Sequence, residues 1–440
     1  MLGQVAGRVA GALAGAETWA TQRPRSAWVA ALGLVLLLVG LETAYWPLHD
    51  FPGAFWHNED RGLDIELGQQ HAATAGWKEL VGFWRGRMLH GHGYFRPLSS
   101  WLFVAEYRLF GVQDRFWTTF SILFHLSVAL LLVWAVAGMV GGSRLRRLSV
   151  GVLAALLFGA PGCADRGVQS WVIGWWPAQP EALSLLFGLL VLGATARFVR
   201  TGAAGWAWVA PAAFFLAVTS KEMGYVAGLG ACLLLLRHPR RWGLLAALSG
   251  LGIALFLYRN AVLGDIAYHA NGFVRERLLG QPRELARGVL MDLERAWPHL
   301  ALLAPALGVG LALRRRQPWE CALLGAAAYL LPASLLLGPP TDSLFQSGFS
   351  RLIELLLSVV MLAALARKLR EWPTAELAGL YVAAFATTAG FPPTFPWYRY
   401  WWTVFGAVLT ALALFSAGEW LHSRLPRRLT GSFLPREQES

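Results

Sequence analysis

The stretch AWVAALGLVLLLVGLETAYW, residues 27–46, decides the class of fold to which this chain belongs. It is apolar almost throughout, and its one charged residue, Glu42, lies near its end. A helix needs about 20 apolar residues to cross a hydrocarbon core about 30 Å thick. The run is too long for the apolar core of a signal peptide, and no small-residue cleavage site accompanies it. We therefore predict that it is a retained membrane-spanning helix.

Similar apolar runs recur along most of the 440 residues, of which 56% are hydrophobic and only 15% are charged. This composition is typical of a polytopic integral membrane protein. We predict an all-α fold of about twelve spans in a single transmembrane domain, residues 28–420. The predicted spans lie near residues 28–47, 117–140, 148–163, 181–196, 204–219, 221–236, 242–258, 289–312, 319–337, 351–366, 376–390 and 401–420.

Arginine and lysine are distributed unevenly between the short loops. Fourteen of them occur at 143–147, 197–200, 237–241, 314–316 and 367–370, and only three at 164–180, 220–222, 338–350 and 391–400. Because basic loops stay in the cytoplasm, we predict that both termini, 1–27 and 421–440, are cytoplasmic. The net charge of +12 then reflects topology, so we expect no nucleic-acid partner. A bacterial inner membrane is the predicted location.

The first outer loop, residues 48–116, contains seven basic and eight acidic residues. Its second half, residues 96–111, is apolar but contains Glu106 and Arg108. We therefore predict an interfacial amphipathic helix, with Trp101, Phe103 and Tyr107 at the level of the lipid headgroups.

The same loop begins with HNEDRGLDIELGQQHAATAGWKEL, residues 57–80. Four carboxylates lie within eight residues of this stretch: Glu59, Asp60, Asp64 and Glu66. They are compatible with the solvated start of a helix. They are equally compatible with a base that removes a proton from an acceptor hydroxyl.

The sequence does not favour a metal or disulfide site. Cys163, Cys232 and Cys321 lack metal-ligand spacing, and we interpret them as small core residues. His90 and His92 are flanked by glycines that indicate a flexible turn. We predict no cofactor, with a divalent metal as the less favoured alternative.

Four stretches, in consistent order, resemble the GT-C class of membrane glycosyltransferases. The first is YFRPLSSWLFVAEYRLFGVQDRFWTTFSILFHLSVALLLV, residues 94–133. The others are WVIGWWPAQPEALSLLF (171–187), FFLAVTSKEMGYVAGLGACLLLL (214–236) and LFLYRNAVLGDIAYH (255–269). Together they are similar to protein O-mannosyltransferases and to the membrane part of transmembrane-and-TPR O-mannosyltransferases, over about residues 40–270.

The resemblance implies a glycosyltransferase that moves a sugar from a polyprenyl-phosphate donor to an acceptor hydroxyl on the outer face, with inversion. In the family, an aspartate of an acidic pair in the first outer loop acts as base. The matching pair here is Glu59 and Asp60, and we assign Asp60 as base with Glu59 as the alternative. The implied partners are a polyprenyl-phosphate-linked sugar, membrane lipid, and a glycan, lipid or protein acceptor.

A departing phosphate needs fixed cations around its oxygens. The candidates on the outer side are Arg96, Lys221, Arg259 and Arg351. At such boundaries, cationic side chains commonly extend to the water–lipid interface without binding a ligand. In addition, Glu222 directly follows Lys221, and we expect it to neutralise that charge. Contacts with the sugar or acceptor are expected from Trp175, Trp176, His57 and Glu181.

Two other functions use similar features. A flippase or transporter of lipid-linked glycans would bind the same cargo without chemistry, but the sequence has no convincing internal repeat. A glycan ligase or polymerase of related fold would use a pyrophosphate-linked donor.

Overall fold

The structure, a computed structural model, describes residues 2–50, 76–86, 94–111, 114–159, 172–173, 178–238, 241–263 and 400–424, with single positions between 374 and 384. All regular elements in these ranges are helices. The prediction of an all-α fold is confirmed for this part of the chain. The helices are α1 (Leu2–Gln22), α2 (Pro24–Asp50), α3 (Trp77–Gly82), α4 (Pro97–Phe110), α5 (Asp114–Met139), α6 (Arg144–Gly159), α7 (Gln179–Thr201), α8 (Ala204–Ser220), α9 (Gly224–Leu236), α10 (Trp242–Leu263) and α11 (Tyr400–Arg424).

Eight of the predicted spans overlap α2 and α5 to α11. By length and composition, four of these helices are able to cross a membrane, in their segments Pro24–Leu41, Phe116–Met139, Gln179–Thr201 and Trp242–Leu263. The described chain is therefore compatible with an integral membrane protein. The predicted spans 289–312, 319–337 and 351–366 lie outside the described residues, and 376–390 is described only at single positions. The number twelve stays a prediction.

Helix α7 is the centre of the bundle. It packs against α8, α5 and α9, and it also contacts α4 and α11. Its side chains Leu185, Leu189 and Leu192 are almost completely buried in one apolar core with residues of these neighbours. Because α7 contacts all five of these helices, residues at its two ends are held in fixed positions relative to the ends of those helices.

Helix α11 completes the core beside α7. The ring of Trp401 lies where an added Cβ on Gly188 would be only 2.5 Å away. The hydroxyl of Tyr400 is 2.7 Å from Nδ1 of His125, whose Nε2 is 3.1 Å from the carbonyl oxygen of Gly159. Since a carbonyl can only accept, Nε2 carries the proton and Nδ1 accepts from Tyr400. His125 therefore joins α5, α6 and α11 as a helix-packing residue.

Helix α1 occupies the segment that was predicted only as a cytoplasmic terminus. It contacts the start of α6, where the hydroxyl of Ser143 donates to Glu17 over 2.7 Å and Arg144 donates to the carbonyl of Ala20 over 3.3 Å. These contacts join the first helix to the basic loop at 143–147.

Helix α4 forms as predicted, and two of its aromatic side chains are buried within the protein. Phe103 and Tyr107 are 2% and 6% exposed, respectively. Tyr107 packs edge-on against Trp117, and α4 contacts α5, α7 and α8. The helix therefore turns its polar and aromatic face into the protein, while its position at the level of the lipid headgroups stays a prediction. Trp101 remains half-buried and donates to the carbonyl of Leu80 over 2.7 Å.

The two ends of the bundle differ in charge. One end brings together Arg96, Lys221 and Arg259 with two carboxylates. The other end carries the arginines at the end of α7, Arg197 and Arg200, which donate to carbonyl groups near the end of α5. This arrangement agrees with the alternation of basic and non-basic loops in the sequence.

The connection between α8 and α9 is a tight turn. The amide of Gly224 donates to the carbonyl of Lys221 over 2.9 Å. A Cβ added to Gly224 would lie 2.4 Å from the backbone carbon of Ala217, and backbone is hard to displace. Only glycine therefore fits between the end of α8 and the start of α9.

We expect Gly224→Ala to lower the free energy of unfolding by about 1–3 kcal/mol, the usual cost of overpacking a close contact. Gly205→Ala is the matched control, because nothing lies within 4 Å of the added methyl group in α8. Thermal unfolding of the purified protein in detergent measures both variants. Equal melting temperatures for the two variants would contradict this account of the turn.

Candidate functional site

Five charged side chains from five helix ends meet at one end of the bundle, and we refer to them as the charge cluster. Its members are Arg96, Glu181, Lys221, Glu222 and Arg259. Arg96 precedes α4, Glu181 lies in the first turn of α7, Lys221 and Glu222 connect α8 to α9, and Arg259 lies near the end of α10.

Lys221 and Glu181 form the deepest ion pair of the charge cluster. The ammonium group of Lys221 donates to Oε1 of Glu181, and the residues are 4% and 0% exposed. Lys221 ends α8 in an extended conformation, which directs the chain away from the helix axis. Oε2 of Glu181 has no hydrogen-bond partner. The pair thus leaves one buried acceptor unused.

Glu222 forms the second ion pair, with Arg96. Both Nε and Nη2 of Arg96 donate to Oε2 of Glu222, over 2.9 and 2.7 Å. The guanidinium group also lies 4.1 Å from the ring centre of Tyr94. Next to this pair, the hydroxyl of Ser99 donates to the carbonyl of Ser220 over 2.7 Å. Together these contacts hold the start of α4 against the turn between α8 and α9.

Arg259 is the least engaged cation of the charge cluster. Its Nη2 lies 3.9 Å from Oε1 of Glu222, and its Nε has no hydrogen-bond partner in the part of the chain that the structure describes. Its side chain is 19% exposed. Because Arg96 and Lys221 each have their own carboxylate, the single excess positive charge of the charge cluster lies at Arg259.

Burial and neighbouring charges determine the protonation states of Lys221 and Glu222 in the turn between α8 and α9. Burial opposes ionisation of Glu222, but Arg96 and then Arg259 outweigh it and hold its pKa below the usual 4.5. Burial lowers the pKa of Lys221 to about 8, although Glu181 opposes the shift. Both residues are therefore charged at neutral pH, as the ion pairs require.

Four of the sequence-predicted site residues thus come together: Arg96, Lys221, Arg259 and Glu181. The expectation that Glu222 neutralises Lys221 was wrong, because Lys221 pairs with Glu181 and Glu222 pairs with Arg96. Adjacent residues in an extended turn point in different directions, so neighbours in sequence need not be partners. The predicted residues Asp60, Glu59, His57, Trp175, Trp176 and Arg351 lie outside the described residues.

Sequence reasoning missed the central role of Glu222. One indication of this role is present in the sequence, because the adjacent charged residues Lys221 and Glu222 lie between two apolar segments. Two charged residues between apolar helices either lie at the surface or have buried partners of opposite charge. This pattern therefore indicated a carboxylate for Lys221 and a cation for Glu222 in other parts of the chain.

Glu106 was also missed as a buried group. It is 1% exposed and faces Gln179, whose amide nitrogen donates to the hydroxyl of Ser121 over 2.9 Å. Burial raises the pKa of Glu106 to about 9, and neither of its carboxyl oxygens has a hydrogen-bond partner among the described residues. A protonated Glu106 can donate to Oε1 of Gln179, which otherwise has no partner. The carboxyl is therefore neutral at pH 7.

Aromatic side chains anchor residues 76–86 next to the charge cluster. The ring of Trp84 stacks on Phe215 at 5.5 Å and contacts Trp101 edge-on at 5.7 Å. The carbonyl of Trp84 accepts from the hydroxyl of Tyr258 over 2.7 Å. Tyr258 immediately precedes Arg259, so this contact brings the Trp84 segment of the first outer loop to the turn of α10 that carries the least engaged cation.

An apolar groove of about 600 Å³ runs along α4 between α3 and α7. Its lining is hydrocarbon and aromatic except for one arginine, and it includes Leu80, Trp101, Leu102, Arg108, Leu183 and Phe187. Leu98 and Leu183 lie near the starts of α4 and α7, the helix ends that carry Arg96 and Glu181, so one end of the groove is at the same level of the bundle as the charge cluster. Its chemistry suits a hydrocarbon chain.

The described part of the chain contains no group of three His, Cys, Asp or Glu side chains arranged to hold a metal ion. Cys232 is a free thiol whose sulfur lies 3.7 Å from the hydroxyl of Ser249.

The buried Glu106 carboxyl predicts a pH dependence of stability. Its pKa is raised in the folded state, so its contribution is complete below about 4.5 and is lost towards about 9, as the unfolded chain releases the proton first. Glu106→Gln keeps the shape of the side chain and removes the ionisable group, so this loss disappears. We expect the melting temperature of the variant to rise relative to wild type between about pH 5 and about pH 8.

Glu79→Gln controls for loss of a carboxyl, since Glu79 is exposed on α3. A difference between Glu106→Gln and wild type that is the same at both pH values would contradict a neutral buried carboxyl.

Comparison with known proteins finds no significant match for this chain to a protein-family model, to a curated protein or to a solved structure.

Proposed function

We propose that the protein is a membrane glycosyltransferase that moves a sugar from a polyprenyl-phosphate donor to an acceptor hydroxyl on the outer face, with inversion. The observation that supports it best is the charge cluster. Three cations that the sequence nominated for the donor phosphate, Arg96, Lys221 and Arg259, come from separate helix ends and meet around two carboxylates.

The geometry gives the three cations different parts in the proposed reaction. Arg96 and Lys221 are committed to Glu222 and Glu181, so they hold the cluster together. Arg259 is partly exposed and carries the excess charge, and its fork of N–H groups suits two phosphate oxygens. We assign Arg259 as the residue that contacts the donor phosphate.

The apolar groove along α4 suits the proposed donor as well. A polyprenyl chain is a long hydrocarbon, and its burial is favourable by about 25 cal/mol per Å² of apolar surface. The groove lies beside α7, whose first turn carries Glu181. A chain in the groove would therefore leave its phosphate close to the charge cluster.

In the proposed step, the oxygen of the acceptor hydroxyl attacks the anomeric carbon from the face opposite the phosphate. The bond from that carbon to the phosphate oxygen breaks, and polyprenyl phosphate leaves with the electron pair. The hydroxyl proton passes to the carboxylate of Asp60, or of Glu59 as the alternative. A positioned carboxylate contributes about 10²–10⁴-fold to such a step.

Asp60→Asn is expected to lower transfer by about 10²-fold or more, and Glu59→Gln by less, if Asp60 is the base. The measurement uses purified protein, polyprenyl phosphate carrying labelled mannose, glucose or arabinose, and a membrane extract as acceptor. Full transfer by both variants would eliminate the base assignment. Wild-type protein that moves the labelled lipid between leaflets of a vesicle without transfer would instead favour a flippase.

Arg259→Gln is expected to lower transfer by about 10²-fold, because it removes the charge assigned to the donor phosphate. Arg259→Lys should retain part of the activity, since it keeps the charge but not the fork. Lys78→Gln removes one exposed cation from α3 and serves as the matched control. Equal losses in Arg259→Gln and Lys78→Gln would contradict the role of Arg259.

A further inference from the structure

A second group of cations lies at the opposite end of the bundle. It consists of Arg147 in the first turn of α6 and of Arg197 and Arg200 in the last turns of α7, and we refer to it as the arginine cluster. Arg200 reaches the carbonyl groups of Met139 and Val140 at the end of α5, and only residues 141–143 lie between Val140 and the start of α6, which carries Arg147. The three charges are thus close enough to repel one another, and Arg147 acts on both Arg197 and Arg200. Such a concentration of like charge costs free energy unless something offsets it.

Two of these arginines are held in place by aromatic rings and carbonyl groups. The guanidinium carbon of Arg197 lies 3.6 Å from the ring centre of Trp134 and 5.7 Å from that of Trp206. Arg197 also donates to the carbonyl of Trp134 over 3.1 Å. Arg200 donates to the carbonyls of Met139 and Val140, each over 2.6 Å. These contacts fix the positions of Arg197 and Arg200, and the carbonyl groups and rings that make them carry only partial negative charge.

The arginine cluster differs in this respect from the charge cluster. Arg96, Lys221 and Arg259 each lie within ion-pair distance of a carboxylate. Neither Arg147 nor Arg197 forms an ion pair with any carboxylate in the described ranges, and the nearby Glu17 accepts instead from Ser143. The half-buried Arg147 and Arg197 are therefore charged groups without an anion of their own.

We propose that the arginine cluster is a binding site for the phosphate group of an anionic membrane lipid. A phosphate between Arg147, Arg197 and Arg200 would offset their mutual repulsion. Guanidinium groups match phosphate oxygens in pairs, and basic pockets between membrane helices are typical sites for anionic headgroups.

A lipid is favoured over a soluble phosphate by the surroundings of the site. The arginine cluster lies at the ends of α5 and α7, both of which are long and apolar enough to cross a membrane. A headgroup at that depth places its acyl chains along the same helices. The site is independent of the proposed transferase reaction, because it lies at the other end of α7 from Glu181.

Native mass spectrometry of the full-length protein in neutral detergent tests the proposal. The probes are dioctanoyl phosphatidylglycerol, dioctanoyl phosphatidylcholine and inorganic phosphate. Wild type is expected to retain phosphatidylglycerol in preference to phosphatidylcholine. Arg147→Gln should weaken the retention of phosphatidylglycerol by about fivefold, the contribution of one basic residue near an anionic lipid.

Arg25→Gln is the matched control, since Arg25 is an exposed arginine at the start of α2, which packs against α6. It should leave the preference unchanged. Equal retention of the two lipids by wild type, or equal effects of the two substitutions, would overturn the proposal. Displacement of the lipid by inorganic phosphate at the same concentration would overturn the assignment to a lipid.

If Arg147→Gln does not yield folded protein, the proposal is tested by the salt dependence of lipid retention in the wild type. A preference for phosphatidylglycerol that disappears in high salt supports a phosphate held by the arginine cluster. A preference that high salt leaves intact contradicts it.

Discussion

The carboxylate of Glu222 is the group on which this end of the bundle depends. One of its oxygens receives two N–H groups of Arg96, and the other faces Arg259. Through these contacts a single side chain in a turn joins the start of α4 to the end of α10. Buried cations are costly without a partner, so Glu222 and Glu181 are what allow three cations to lie together inside an apolar bundle.

The two clusters give the bundle an electrostatic polarity along its axis. At one end, carboxylates nearly balance the cations and leave a small excess at Arg259. At the other end, Arg197 is fixed by a carbonyl group and by the ring of Trp134. Helix α7 connects the two ends, with Glu181 in its first turn and Arg200 in its last. The two ends of the bundle therefore differ chemically, and each is the basis of a separate proposal for a bound anion.

Much of this fold was predictable from the sequence, because the limits of a span depend on the length of its own apolar run and on the basic residues of the adjoining loops. The limits of α7 and α10 differ from the predicted spans by only a few residues, and the four cation-site and acid residues that the structure describes do converge. Pairing was not predictable, because it depends on how helices distant in sequence pack. The partner of Lys221 is 40 residues away and that of Glu222 is 126 residues away. Likewise, the burial of Glu106 depends on which face α4 turns towards α7.

The contact between Tyr400 and His125 has a consequence for the order of assembly. The two residues are separated by 275 positions, and Trp401 fills the space beside Gly188 in the middle of the bundle. During synthesis, α5 and α7 are therefore complete long before the helix that covers them has been made. Until α11 has been made, the hydrogen bond from Tyr400 to His125 and the packing of Trp401 on Gly188 cannot form. Because α11 supplies many side chains of this core, the packing seen in the structure is completed only when the last described helix is in place.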